Sequence, residues 1–475
     1  MPQLTLLPEG ESLSVPAGHP LKTILEEHGI IIPMPCGGRG VCTGCRVLFL
    51  QGAPEPQPAE AAALSEQELS KGVRLGCLCR IEKDCTVLLP QAEEASPAFT
   101  KLPEITPEDF EEPEGTGAAD LGTTTVYIMW REKILSFWNP QMLYGEDVVS
   151  RLTHYLDPSR RDGLRGIIVD KLCNVASSLG ISRLCVSGNP VMVGILEGRD
   201  LSGLARYPFS TGPKDFRIVQ FNNLTLELLP EIGGFLGSDA LSTLAAAVMK
   251  SPTLPALAMD IGTNTEMFLI TEGGVYGASL PAGPAFEGYG IRHGTRATAG
   301  AIYRVNDDLS FETIENRPEV GICGSGLISA VYQLSRRGLI DCQGRLLTGE
   351  RYPLGRVAIY QQDIRALQLA KAAVYAGAKA LMERAGISHT KTLLLAGNFG
   401  ASLEPSWLTE LKFIPVEEIE HFEYLGNTSL WGARYASTSG NLRKLMNHLK
   451  DEVEVLQLAE DETFKGHFIE GTKLC

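Results

Sequence analysis

The strongest constraint in this chain is that it contains one supersecondary unit twice. AADLGTTTVYIMW (118–130) and LAMDIGTNTEMFLI (257–270) each run an apolar strand into an aspartate, turn through Gly-Thr, and leave along a second strand. Such a duplication predicts two lobes of similar topology, in a chain whose 475 residues exceed one ordinary core. The turn chemistry points to phosphate. Glycine at the turn lets backbone N–H groups and threonine hydroxyls approach phosphate oxygens, and a strand-end aspartate can hold a hydrated Mg²⁺. One Asp-x-Gly-Thr loop is also an ordinary β-turn; two, one per lobe, would close on a triphosphate from both sides. Asp120 and Asp260 are therefore candidate catalytic residues that hold Mg²⁺ through water. Gly122, Thr123, Thr124, Gly262, Thr263 and Asn264 are candidate phosphate contacts. Glu266 is a candidate for orienting the attacking water, against the simpler reading of a plain strand glutamate. No Gly-Lys-Ser/Thr phosphate loop is present, which excludes that class of NTPase.

The N-terminal segment carries a second chemistry. PCGGRGVCTGCRV (35–47) sets Cys36, Cys42 and Cys45 among glycines at 37, 38, 40 and 44. The chain has 11 cysteines, an odd number without an export signal, which favours metal or free thiols over a disulfide framework. Six of them (36, 42, 45, 77, 79 and 85) fall in the first 90 residues, and the other five are scattered singly. A bridged iron pair with two sulfides needs four thiolates, three of which one tight loop can supply. The glycines permit the positive-φ turns that aim N–H groups at the negative charge. Zinc competes, but zinc ribbons usually pair two C-x2-C knuckles, and here one close pair follows a five-residue spacer. RLGCLCR offers both Cys77 and Cys79 as the fourth ligand. In an extended strand the two face the same way, so periodicity leaves that choice open.

Residues 1–90 read as a small α+β domain of β-grasp type. Strands are expected in LTLLPEGESLSV, CRVLFLQG and CTVLLP, with a short helix in HPLKTILEEHG that turns Leu21, Ile24 and Leu25 to one face. A second helix, LSEQELSKG, has Ser65 and Glu68 as a capping box. Residues 91–117 place acids at 93, 94, 104, 108, 109, 111, 112 and 114 against one lysine, with four prolines. That composition predicts an extended, self-repelling linker that lets the first domain move. Alternating strands and helices then predict an α/β lobe over 118–250 and another over 251–450, whose last helix returns to the first lobe. The acidic, weakly patterned 451–475 reads as a peripheral tail. A formal charge of −15 argues against nucleic acid as a partner. No apolar run approaches the ~20 residues of a membrane helix, and MPQLTLLPEGESLSV lacks a basic head, so a cytoplasmic location is expected.

The spacing C-x5-C-x2-C…C resembles that of 2Fe–2S ferredoxins of the adrenodoxin-like branch. Their R-L-x-C pattern implies Cys77 as the fourth ligand beside Cys36, Cys42 and Cys45, leaving Cys79 and Cys85 as ordinary thiols. The paired Asp-Gly-Thr loops resemble those of the actin–hexokinase–sugar-kinase superfamily, with its duplicated RNase-H-like lobes. LLLAGNFGAS (393–402) looks like that superfamily's adenosine motif, which implies Gly397 and Asn398 near adenosine. GICGSG (321–326) adds Gly324 and Ser325 as nucleotide contacts, while Cys323 and His293 read as structural. GFLGSDALSTLAAAV (234–248) and GNTSLWGARYA (426–436) look like its two small-residue hinge helices.

Joined to a ferredoxin, and with NPQMLYGEDVVSRL (139–152), LPAGPAFEGYGIRHG (280–294) and QDIRALQLAKAAVYAG (362–377), the chain resembles the reductive activators of corrinoid enzymes. That resemblance implies ATP hydrolysis coupled to one-electron reduction of Co(II) to Co(I). It implies a 2Fe–2S cluster, ATP and Mg²⁺ as cofactors. The implied partners are a corrinoid protein as acceptor, a low-potential ferredoxin or flavodoxin as donor, and a second copy in a homodimer, with no nucleic acid and no membrane. One departure is expected: members carry an additional domain between ferredoxin and ATPase, where this chain has only 91–117. The competing readings are an ATP-driven donor to a non-corrinoid acceptor and a redox-sensing nucleotide switch.

Overall fold

The computed structural model describes every residue of 1–475 except 9, 31, 33, 35–37, 39, 41–44, 65, 90–99, 146, 213, 263 and 459–460. In the first domain, alternation in Gln3–Leu7 turns Leu4 and Leu6 inward, and the strand becomes the second of five in the order Glu11–Ser14, Gln3–Leu7, Cys85–Leu88, Arg46–Gln51, Val73–Leu75. Gln3–Leu7 pairs in parallel with Cys85–Leu88, and the helix Leu21–Glu27 lays Leu21, Ile24 and Leu25 onto the sheet. This is the expected β-grasp. The second helix begins at Glu66; its expected cap, Ser65, lies outside the described residues.

The duplication is explicit in the sheets. In the first lobe, Lys133–Trp138, Thr125–Trp130 and Thr116–Leu121 form an antiparallel meander, to which Arg183–Gly188 and Leu224–Leu228 add in parallel. In the second lobe, Gly274–Pro281, Asn264–Thr271 and Ala256–Ile261 form the same meander, and Thr392–Ala396 and His421–Gly426 add in parallel. Each aspartate therefore ends the central strand of its sheet. The helices Ser238–Met249 and Thr428–Ala436 pack on each other between the lobes. Their close approach needs small side chains: a Cβ on Gly432 would collide with Ser242, and the Thr243 and Thr428 hydroxyls are 2.7 Å apart.

Two regions correct the sequence reading. Residues 100–115 are not an extended linker but a strap docked on the two-lobed unit. Leu102, Ile105 and Phe110 pack into the core shared by the hinge helices, and Phe110 meets Tyr435 edge-on at 4.6 Å. Trp431 Nε1 donates to the Ile105 carbonyl at 2.8 Å, and Asp109 accepts the Asn441 N–H at 2.8 Å at the start of Gly440–Glu452. The acids that suggested self-repulsion are used as caps and ion pairs, such as Glu112 with Arg434 at 3.0 Å.

The segment 451–475 is not peripheral either. Val453–Val455 adds a parallel strand to the second lobe's sheet, and the helix Glu462–Gly471 packs along Gln361–Ala385. The fully buried Lys371 donates to the carbonyls of Gly471 and Lys473, and burial lowers its pKa to about 7. Cys342 and Cys475, expected as separate thiols, form a disulfide across 133 residues. Sequence spacing cannot reveal that pairing; the tail's packing brings the two together. The ferredoxin rests on both lobes: Arg46 Nη2 donates to the Arg292 carbonyl at 3.3 Å, and Ile32 and Met34 share a small cavity with Met142 and Leu143.

A docked strap makes a stability prediction that a free linker does not. Phe110→Ala should destabilise the ATPase region by about 2 kcal/mol, through lost burial and the lost aromatic pair. The readout is its midpoint in urea; an unchanged midpoint would return 100–115 to the status of a linker.

Candidate functional site

Strand order brings four acids to one cleft floor. Asp120 and Asp260 come from the two central strands, Glu266 is the cross-strand partner of Asp260, and Asp239 stands in the first turn of Ser238–Met249. All four are partly exposed to the cleft. Burial, joined by the negative charge of Asp120, pushes Asp260 up to about 7. Asp239 is pushed up to about 8, again by burial first and then by Asp120, Asp260 and Glu231, and Glu266 is raised well above its ordinary range by burial, Asp239 and Asp260. Asp120 is raised by burial and partly restored by donors: Asn427 Nδ2 at 2.9 Å and Ser429 Oγ at 2.7 Å. Among the described residues no three His, Cys, Asp or Glu side chains stand close enough to hold a metal ion directly.

The first loop is held by side-chain amides and the second by a backbone bond. Asn139 Nδ2 donates to the Gly122 carbonyl at 2.8 Å, and Asn189 Nδ2 to Thr123 Oγ1 at 3.1 Å, which fixes the first Gly-Thr turn. In the second turn Gly262 N donates to the Asn264 carbonyl at 3.1 Å; Thr263 lies outside the described residues. Gly397 has φ 75°, and a Cβ there would collide with Asp260. Asn398 Nδ2 donates to the Tyr127 hydroxyl at 2.7 Å, joining the second lobe to the cross-strand partner of Asp120. Asn398 Oδ1 and the Tyr424 hydroxyl are buried without a partner among the described residues. Gly324 and Ser325 are buried at the start of Gly324–Arg336, where a Cβ on Gly324 would strike Phe286 and Ser325 Oγ lies 3.4 Å from Cys323 Sγ. His293 accepts the Ala358 N–H at 2.8 Å, a structural bond as expected.

The sequence reading missed Asp239, Tyr127, Asn427 and Ser429. Asp239 stands three residues after a Gly-Phe-Leu turn, which gives no spacing signal of its own.

In the ferredoxin, Cys45 Sγ and Cys77 Sγ lie 3.2 Å apart, and Gly76 N donates to the Cys45 carbonyl at 2.7 Å. Cys79 instead turns into the core, where its thiol meets the Leu75 carbonyl at 3.3 Å and burial raises its pKa strongly. Cys85 is pushed up to about 11, by burial first. Gly40 has φ 74°, and a Cβ there would sit 2.6 Å from Leu78 Cδ1, so the loop can pass only as glycine. Cys36 and Cys42 lie outside the described residues. The described donors fit an iron–sulfur cluster held through Cys45 and Cys77.

Three family descriptions cover the chain in order. The 2Fe–2S iron–sulfur cluster binding domain matches residues 4–82, the RACo middle region matches 116–252, and the C-terminal domain of RACo, an ASKHA domain, matches 255–475. The matched middle region coincides with the first lobe, and residues 83–115 lie between the first two matches. The chain is 28% identical over 414 residues to "Corrinoid activation enzyme RamQ" of Eubacterium limosum, covering 75% of this chain and 69% of that protein. It is 26% identical over 350 residues to "[Co(II) methylated amine-specific corrinoid protein] reductase" of Methanosarcina barkeri, covering 61% and 62%. A solved "Reductive activator for corrinoid,iron-sulfur protein" superposes with TM-score 0.68 at 22% identity, over 100% of this chain and 98% of that one, which shows a shared fold. Among the described residues no helix is long and apolar enough to cross a membrane.

The acid floor sets a pH dependence. Carboxyls raised in the folded state bind protons that the unfolded chain has released, so stability is fully present below about pH 4 and is lost as pH rises through about 7–8. The nucleotide-free protein in chelator should therefore lose melting temperature from pH 5.5 to 8.5, and Asp239→Asn should flatten that slope. Mg²⁺ with an ATP analogue should flatten it too. A slope unchanged in Asp239→Asn would mean that the four acids do not interact.

Proposed function

We propose, for a chain that belongs to the RACo family of reductive activators, that it uses ATP to drive one electron uphill from its own cluster to the cobalt of a corrinoid protein, returning Co(II) to Co(I). What carries this reading is the presence in one chain of a cysteine pair suited to a one-electron centre and an acid-floored cleft between duplicated lobes. The relatives' names supply the acceptor class.

A 2Fe–2S cluster supplies one-electron transfer when bound, and Cys36, Cys42, Cys45 and Cys77 would hold it. Asp120, Asp260 and Asp239 would hold Mg²⁺ through its water shell, which also relieves their mutual repulsion. A cation in place would lower the carboxyl of Glu266 from its raised range, readying it to orient and deprotonate the attacking water. The turns at Gly122–Thr124 and Gly262–Asn264 would receive phosphate oxygens from opposite lobes. Gly397 and Asn398 would stand beside adenosine, with Asn398 Oδ1 and the Tyr424 hydroxyl as polar groups still to be satisfied. Gly324 and Ser325 would support that wall from the second lobe. An external ferredoxin or flavodoxin would resupply the electron.

Moving a two-state equilibrium from one side to the other takes ~5.5 kcal/mol, roughly 0.2 V for one electron. Nucleotide-driven lobe motion can supply that order of energy. It would favour the partner complex in which cobalt ligation, and hence its potential, is changed.

The test uses full-length protein with its cluster, a strong reductant and a corrinoid protein. Asp260→Ala should lower ATP turnover by ~10² and abolish Co(I) formation while leaving the cluster's absorbance unchanged. Cys77→Ser should lose the absorbance and Cys79→Ser should keep it. Equal Co(I) formation with and without ATP would remove the coupling, and the reverse result for the two cysteines would remove the ligand assignment.

A further inference from the structure

The chain leaves 90–99 and enters the ATPase at the floor of the nucleotide cleft rather than on its outer surface. Thr100 is 9% exposed. Its hydroxyl stands beside the Tyr127 hydroxyl and accepts from Asn398 Nδ2 at 3.4 Å, and the same Nδ2 donates to Tyr127 at 2.7 Å. The next residue repeats the pattern. Asn427 N donates to the Lys101 carbonyl at 2.7 Å while its side chain donates to Asp120 Oδ2 at 2.9 Å. Tyr127 and Asp120 belong to the first lobe's meander, and Asn398 and Asn427 follow strands of the second lobe's sheet.

The apolar anchors further along behave differently. Ile105 and Phe110 sit on Thr428–Ala436 and would be carried with it. An element bonded to one body moves with that body. An element bonded to both must change its bonds when their angle changes.

We propose that Thr100 is a positioning residue that couples nucleotide occupancy to the ferredoxin's attachment, by standing against the Asn398–Tyr127 bond between the lobes where the strap begins. The inference rests on the nucleotide reading above. When the lobes move on binding, Tyr127 and Asn398 separate or re-pair, Thr100 follows one of them, and the point from which the ferredoxin hangs is displaced. The bland alternative is that Thr100 fills a polar gap and the apolar anchors alone fix the strap.

The experiment measures amide exchange across 100–106 in full-length, cluster-loaded protein, with and without Mg²⁺ and a non-hydrolysable ATP analogue, beside its melting temperature. In the native chain the exchange rate should change at least fivefold with nucleotide, about what one hydrogen bond is worth. In Thr100→Val the change should shrink to within about twofold. ATP turnover and cluster absorbance should stay within about twofold, while Co(I) formation slows about tenfold. Thr100→Ser should restore both the exchange response and Co(I) formation, and Thr100→Ala replaces the valine variant if that one does not fold. A melting shift with the analogue but no exchange change at 100–106 overturns this inference and leaves the nucleotide reading standing. An unchanged response in Thr100→Val overturns it as well. No melting shift at all removes the nucleotide reading, and the inference with it.

Discussion

Like charges converging in a partly dry cleft are the constraint around which the two lobes are arranged. Four carboxyls meet on one floor because the duplicated meander ends each central strand in aspartate, and because the two sheets face each other across the hinge helices. Such an arrangement opposes folding unless donors or cations compensate. Of the two strand-end aspartates only Asp120 has side-chain donors. It accepts from Asn427 and Ser429, whereas Asp260 faces Gly397 and, among the described residues, gains no restoring bond to offset its burial. The asymmetry explains why Asp260 titrates near neutrality, and it leaves the second lobe's acid as the one most in need of a cation.

The same geometry gives the ferredoxin its seat. The 289–296 loop crosses from the second lobe to the first, where Arg296 stacks on Trp138 at 4.2 Å and Arg292 offers its carbonyl to Arg46. Asp363, at the start of the long Gln361–Ala385 helix, accepts the Arg292 N–H at 2.8 Å and fixes that carbonyl's direction. Arg46 follows Cys45 directly in sequence. The residue that docks the electron-transfer domain is thus covalently next to a candidate ligand of its cluster, and it touches a loop whose position depends on both lobes.

Much of this was legible. The repeated Asp-Gly-Thr units predicted the duplicated sheets, because a strand–turn–strand with one fixed polar position leaves few other folds. Leu21, Ile24 and Leu25 gave the ferredoxin helix by periodicity alone. The strap was not legible for a physical reason: averaging charge over 91–117 hid three apolar residues whose burial depends on a groove made by residues over 300 positions later. The tail was hidden likewise, since Lys371 and Cys342 acquire their partners only once Gln361–Ala385 has folded. Asp239 escaped because an acid in the first turn of a helix is favoured by the helix dipole alone, so its presence there carries no separate signal.

Docking of the strap changes what the ferredoxin can do. A free 91–117 segment would allow a wide swing, but the chain is anchored from Thr100 onward, and the first domain's last strand ends at Leu88. Whatever their conformation, the ten residues 90–99 span at most ~35 Å. Within that limit the cluster's reach is set mainly by where the anchor points. An anchor set against the Asn398–Tyr127 bond points where that contact between the lobes directs it. Short reach and a cleft-mounted anchor together turn lobe motion into domain placement, which a long, loose tether would average away.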